Sequence, residues 1–150
     1  MTPRALGHLR AGRRFATFLA VSAAFALLFT LTLPLPRRFQ LRVQRLWCAG
    51  VAWAAALDVE VEGERASGPG SVLYLANHVS YFDIPALGAL VDAAFVAKSE
   101  VAAWPLFGWF ARLTGTVFIP RRARRSAEQV ARLRGRLARG ENLILFPEST

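Results

Sequence analysis

The stretch Asn77-His78-Val79-Ser80-Tyr81-Phe82-Asp83 carries side chains suited to acid–base chemistry. His78 is one of two histidines, and the other, His8, precedes a long apolar run. Asp83 follows His78 five positions later. If the intervening loop folds back, the carboxylate accepts a hydrogen bond from one imidazole nitrogen. That fixes the tautomer and leaves the other nitrogen free to take a proton. Such a pair activates a substrate hydroxyl without a protein nucleophile. The plain alternative is a structural histidine with Asp83 as a helix cap. A serine hydrolase fits less well: there is no Gly-x-Ser-x-Gly elbow, and Ser80 lies two residues after the only plausible base. A metal site is not expected either, because no ligand cluster accompanies His78 and Asp83, and Cys48 is the only cysteine.

These residues need elements to hold them. Val72 to Ala76 is a short apolar run, read as a buried strand that ends just before Asn77. Ligands bind at such strand ends in α/β sheets. Phe82 to Val91 reads as a helix with Pro85 in its first turns. Asp58 to Glu62 alternates polar and apolar, as a half-exposed strand does. Ala94 to Ala97, Thr116 to Ile119 and Asn142 to Phe146 are further strand candidates, with an apolar segment at Trp104 to Leu113. Ser126 to Arg139 is the clearest helix. Ser126 and Gln129 make a capping box, and Gly140 is the stop signal. Val130, Leu133 and Leu137 form its expected buried stripe, with Arg132, Arg134, Arg136 and Arg139 facing out. Strands alternating with helices predict an α/β fold, with a mixed, largely parallel sheet flanked by helices.

The first 57 residues differ from the rest. They hold eight Arg and no acid, whereas residues 58–150 hold eleven basic and ten acidic residues. The whole-chain net charge of +9 is therefore mostly N-terminal, which argues against a nucleic-acid binder. Phe15 to Leu33 is a 19-residue run without a charge. As a helix it would span about 28 Å, close to the ~30 Å hydrocarbon core of a bilayer. Pro34 and Pro36 end it. In Arg38 to Leu57, Arg38, Arg42 and Arg45 form a basic stripe interleaved with Trp47 and Trp53, as in a helix lying among lipid headgroups. We expect residues 1–57 to be a membrane-associated helical anchor and 58–150 to be the catalytic domain. Four Arg before the run and four after it leave orientation open. The last residues, Phe146 to Thr150, look like the middle of a motif, so a longer natural chain is expected.

Residues 77–83 resemble the NHxSxxD signature of the glycerolipid (lysophosphatidic acid) acyltransferase family. Other blocks follow in the family's order. Phe95 to Glu100 and Pro105 to Gly108 look like its connecting segment. Gly115-Thr-Val-Phe-Ile-Pro-Arg121 resembles its second motif, and Phe146-Pro-Glu-Ser-Thr150 its third. Two positions depart from the pattern: Pro120 stands where an acidic residue is common, and Ser149 where Gly is common.

The resemblance implies transfer of a fatty acyl group from acyl-CoA or acyl-carrier protein, as donor substrate, to the free hydroxyl of a lysophospholipid. The default acceptor is 1-acylglycerol-3-phosphate, with a lyso-ornithine lipid as an alternative. His78 would be the general base and Asp83 its orienting carboxylate. Asn77 would hold the loop, and Ser80 would add a local hydrogen bond. Arg121 would bind the acceptor's phosphate through its planar fork, and Glu148 would meet the acceptor hydroxyl or Arg121. Arg122, Arg124 and Arg125 read as a solvated cluster or a site for anionic lipid or CoA phosphates. No cofactor is implied. The expected location is the inner membrane, with the site on its cytoplasmic side. A non-catalytic, membrane-bound relative is the rival of another class.

Overall fold

The computed structural model describes residues 3–64, 66, 70–105, 107–120 and 126–147. Of the residues singled out in the sequence, Arg121, Arg122, Arg124, Arg125, Glu148 and Ser149 lie outside the described set. The chain divides into two compact units, residues 1–61 with 81–91 and residues 62–80 with 92–150.

The first unit is helical: α1 (Pro3–Thr32), α2 (Arg37–Ala55) and α3 (Asp83–Leu90). Helix α1 starts at Pro3 rather than at Phe15, because proline suits a first helical turn and arginine is a good helix former. Its stretch Gly7–Thr32 is long and apolar enough to cross a membrane, by length and composition. Pro34 and Pro36 stop it as expected. The chain then reverses. Gln40 meets the end of α1, Trp47 lies tilted against Phe25 at 5.2 Å, and Gly50 faces Val21, so α1 and α2 run antiparallel. Gln40 donates its amide to the carbonyls of Leu33 and Leu35, both at 3.2 Å, and so satisfies acceptors that a helix end leaves bare. The buried residues of α2 include Leu41, Gln44, Cys48 and Val51, a helical stripe. Trp47 belongs to this packing and bonds Ser22 at 3.2 Å, whereas Trp53 is exposed. The expected interfacial pair of tryptophans is thus divided between two roles.

The second unit is an α/β fold. Its strands are β1 (Leu73–Leu75), β2 (Ala93–Lys98), β3 (Val117–Ile119) and β4 (Asn142–Leu145). They form one four-stranded sheet in the order β1-β4-β2-β3, and every neighbouring pair is parallel. The core follows from the central strands. Ala93, Ala94, Val96, Leu143 and Ile144 are buried, and each Leu or Ile so placed is worth about 1.5–3 kcal/mol. Asn142 joins the strand starts: its Oδ1 accepts from the Val72 N–H at 2.8 Å, and its Nδ2 donates to the Asp92 carbonyl at 3.2 Å.

A 3₁₀ turn (Ser99–Ala103) and α4 (Phe107–Leu113) lead from β2 to β3, and α5 (Ser126–Ala138) leads to β4. Gly140, at φ +77°, ends α5 as expected, with the Glu141 N–H closing onto the Arg136 carbonyl.

Two expectations are corrected. Asp58 to Glu62 forms no strand: its acids and valines are all exposed, and no strand of the sheet pairs with it. Helix α5 is also rotated from the expected stripe. Val130 is 45% exposed, while Gln129, Leu133, Arg136 and Leu137 make the half-buried face. Arg136 turns inward because it binds Glu141, which is 7% exposed.

Candidate active site

The site begins with the parallel register. Leu75 pairs with Leu145 and Lys98 with Ile119. The strands share one direction, so the segments after β1, β3 and β4 all leave from the C-terminal edge of the sheet. Those segments hold His78, Pro120 and Pro147. The ladder continues one step past β1, where the Ala76 N–H donates to the Leu145 carbonyl at 3.1 Å. Two residues later His78 is half-buried, with its ring stacked on Phe146 at 4.4 Å and 27°. Phe146 is 5% exposed and stacks in turn on Phe95 of β2 at 6.5 Å. A row of three rings thus runs from the sheet interior to the imidazole. An offset ring pair holds orientation as well as burying area, and is worth about 0.5–1.5 kcal/mol.

The predicted residues fall in both compact units. His78, Asn77 and Ser80 follow β1 in the second unit, with Asn77 and Ser80 exposed. Asp83 is the first residue of α3 and belongs to the first unit. As an acid in a first helical turn it complements the helix dipole. Pro85 sits in the same first turns, as the sequence implied. Among the described residues, no group of three or more His, Cys, Asp or Glu is placed to hold a metal ion. The basic residues of α5 have separate fates. Arg132, Arg136 and Arg139 line an open groove of about 640 Å³ beside β3; Arg132 binds Glu128 at 3.0 Å, and Arg136 is fastened to Glu141 and to the Gly115 carbonyl.

Sequence reasoning missed two contributors. Phe146 reads in the sequence as a strand end and part of a motif, yet its ring is the platform for His78. Gln129 was read as half of a capping box, yet its amide donates to the Pro120 carbonyl at 2.6 Å. Only the parallel pairing, which brings residues 70 apart into register, makes the first of these visible.

The family described as Acyltransferase matches residues 58–150, the part that carries this sheet and His78. The chain belongs to the acyltransferase family. Its relatives have two kinds of name. A lyso-ornithine lipid O-acyltransferase of Pseudomonas aeruginosa is 47% identical over 109 residues, covering 73% of this chain and 42% of that protein. A 1-acyl-sn-glycerol-3-phosphate acyltransferase of Neisseria gonorrhoeae is 43% identical over 98 residues, covering 63% and 38%. A chloroplastic 1-acyl-sn-glycerol-3-phosphate acyltransferase of Arabidopsis thaliana is 30% identical over 143 residues, covering 90% and 39%. The chain therefore spans less than half the length of these curated relatives. No solved structure matches this acyltransferase chain.

Proposed function

We propose that this acyltransferase moves a fatty acyl group from a thioester, acyl-CoA or acyl-carrier protein, to the free hydroxyl of a lysolipid. The observation that carries the reading is His78. It lies in the Asn-His-x-Ser-x-x-Asp segment, at the C-terminal edge of a parallel sheet, with its ring held on Phe146. His78 takes the proton of the acceptor hydroxyl as the oxygen attacks the thioester carbonyl. The C–S bond breaks, and the departing thiolate takes up that proton. Asp83 orients and charge-stabilises the imidazole. Asn77 and Ser80 shape the loop, and no cofactor or metal takes part. Arg121 binds the acceptor's anionic group, and Glu148 meets the acceptor hydroxyl or Arg121.

The default acceptor is 1-acylglycerol-3-phosphate, giving phosphatidic acid. A second reading, acylation of a lyso-ornithine lipid, is favoured by the name of the relative 47% identical to this chain. Pro120 in place of the usual acidic residue is consistent with a changed acceptor. The apolar α1 supports work at a membrane. We place the site on the cytoplasmic face of the inner membrane.

The test is acyl transfer by membranes expressing the full-length protein. Labelled acyl-CoA and acyl-carrier protein are offered against a panel of lysolipids, with His78→Ala beside the wild type. General-base catalysis contributes ~10²–10⁴-fold, so the variant should lose at least ~10² in rate. Equal transfer by variant and wild type with every donor and acceptor would overturn the proposal and favour the non-catalytic relative.

A further inference from the structure

The open groove of about 640 Å³ between β3 and α5 has the size of a small-molecule site. Strand β3 supplies Thr116 to Phe118, and α5 with the residue after it supplies Arg132, Gly135, Arg136 and Arg139. Two hydrogen bonds fix its direction. Arg136 Nη2 donates to the Gly115 carbonyl, before β3 begins, at 2.9 Å. Gln129 Nε2 donates to the Pro120 carbonyl, after β3 ends, at 2.6 Å. Helix α5 therefore runs antiparallel to β3. Its last arginines lie beside the start of the strand, and its first turns lie beside the sheet edge where His78 stands. From Glu128 to Ala138 the helix rises about 15 Å.

The three arginines are not equivalent. Arg132 is paired with Glu128 at 3.0 Å, and Arg136 with Glu141 at 2.7 Å. Arg139 is exposed, and its side chain makes no hydrogen bond or ion pair among the described residues. Its Nη1 lies 3.7 Å from where a Cβ of Gly135 would stand, so the guanidinium reaches over this glycine. Glycine is a poor helix former, yet Gly135 lies in the interior of α5. Packing does not demand it: beyond its own helix, an added Cβ would meet no other described group within 4 Å. The space that a side chain would fill belongs to the groove. A guanidinium fork suits a phosphate. In a lysophospholipid acceptor the phosphate is a few bonds from the reacting hydroxyl, so it must sit near the imidazole. In a thioester donor the phosphate is separated from the reacting carbonyl by the whole phosphopantetheine arm. Arg139, at the end of the groove away from His78, suits the second.

We infer that this groove holds the phosphopantetheine arm of the acyl donor, with the phosphate on Arg139 and the arm passing over Gly135 towards the edge that carries His78. This rests on the proposed reading of the donor as acyl-CoA or acyl-carrier protein, which share that arm.

The experiment is steady-state kinetics of the full-length enzyme in membranes, varying acyl-CoA, acyl-carrier protein and acceptor separately. Phosphopantetheine and pantetheine, which differ by the phosphate alone, serve as competing probes. Hydrogen bonds to a charged group are strong enough that donor KM should rise about 10-fold in Arg139→Gln, with either donor. Acceptor KM, kcat and thermal midpoint should hold. Phosphopantetheine should inhibit the wild type more strongly than pantetheine. That preference should vanish in Arg139→Gln and largely return in Arg139→Lys. Gly135→Ala should give opposed shifts: the better helix former raises the thermal midpoint, and the added methyl raises donor KM. A donor KM unchanged in either variant overturns the inference, and so does a preference for phosphopantetheine that survives Arg139→Gln. A rise confined to acyl-CoA puts the nucleotide phosphates in the groove, and one confined to the carrier puts its protein surface there; both overturn the assignment to the arm. If the wild type transfers from neither donor, the proposed function falls, and calorimetry with phosphopantetheine on the purified full-length protein decides the groove. Binding that Arg139→Gln weakens supports it; no binding, or equal binding, overturns it.

Discussion

The imidazole of His78 lies 4.4 Å from the ring of Phe146, and the proposed base depends on that platform for its orientation. Phe146→Leu keeps an apolar group in the core but removes the ring face. At about 0.5–1.5 kcal/mol for an aromatic pair, we expect transfer to fall about 2- to 12-fold. The loss should appear in kcat with protein level unchanged, and comparison with His78→Ala in one assay checks it. Cys48 makes a different point at the same scale. Burial pushes its thiol from 9.0 up to about 12. The folded state therefore holds this proton more tightly than the unfolded state. The stabilisation is complete below about pH 9 and is lost as pH rises towards 12. Thermal midpoints of the wild type and Cys48→Ala, taken across that range, should converge as pH rises. Below pH 9, maleimide labelling of the native protein should be slow and should become fast on unfolding.

At the scale of elements, local signals made most of the fold legible. Helix α5 was readable from Ser126 to its glycine stop, and all four strands were visible as short apolar runs. What failed needed tertiary knowledge. Alternation at Asp58 to Glu62 looks like a strand, but a strand needs a partner, and none pairs with it. The inward face of α5 includes Arg136 because an acid, Glu141, lies buried behind it, which no helical periodicity reports. The site was legible in part. The motif located His78, but the ring beneath it comes from Phe146, just after β4 and far along the chain. Two substitutions test elements directly. Ala56, the left-handed cap of α2 at φ 54° and ψ 46°, is the one described non-glycine residue with positive φ. Ala56→Gly should stabilise the protein by about 1 kcal/mol, read as a raised thermal midpoint in detergent. Gly108 sits where α4 meets the preceding 3₁₀ turn, and an added Cβ would overlap the carbonyl of Ala102. Overpacking against rigid backbone costs about 1–3 kcal/mol, so Gly108→Ala should lower the midpoint by several degrees.

For the molecule as a whole, the proposed division of labour between anchor and catalytic part can be tested without cutting the chain. Leu27 and Leu31 are 68% and 66% exposed on α1, away from the buried Phe25 and Phe29. An Asp at a membrane helix centre costs about 2.5–3.5 kcal/mol. The double variant Leu27→Asp, Leu31→Asp should shift the protein from membrane to soluble fractions on vesicle flotation, while α1 still packs on α2. Retention on the vesicles would show that α1 is not the anchor. The strand order has a consequence in time as well as in space. Strand β4 is made last of the four and lies between β1 and β2. Leu73 must therefore wait for Leu143, which the ribosome adds 70 residues later. Until then β1 and β2 have no common neighbour, and their open edges are exposed to other chains. The α1–α2 hairpin has no such delay, since its partners lie close in sequence and emerge first. Synthesis thus sets a schedule: the α1–α2 hairpin can pack while the parallel sheet is still waiting for its central strand.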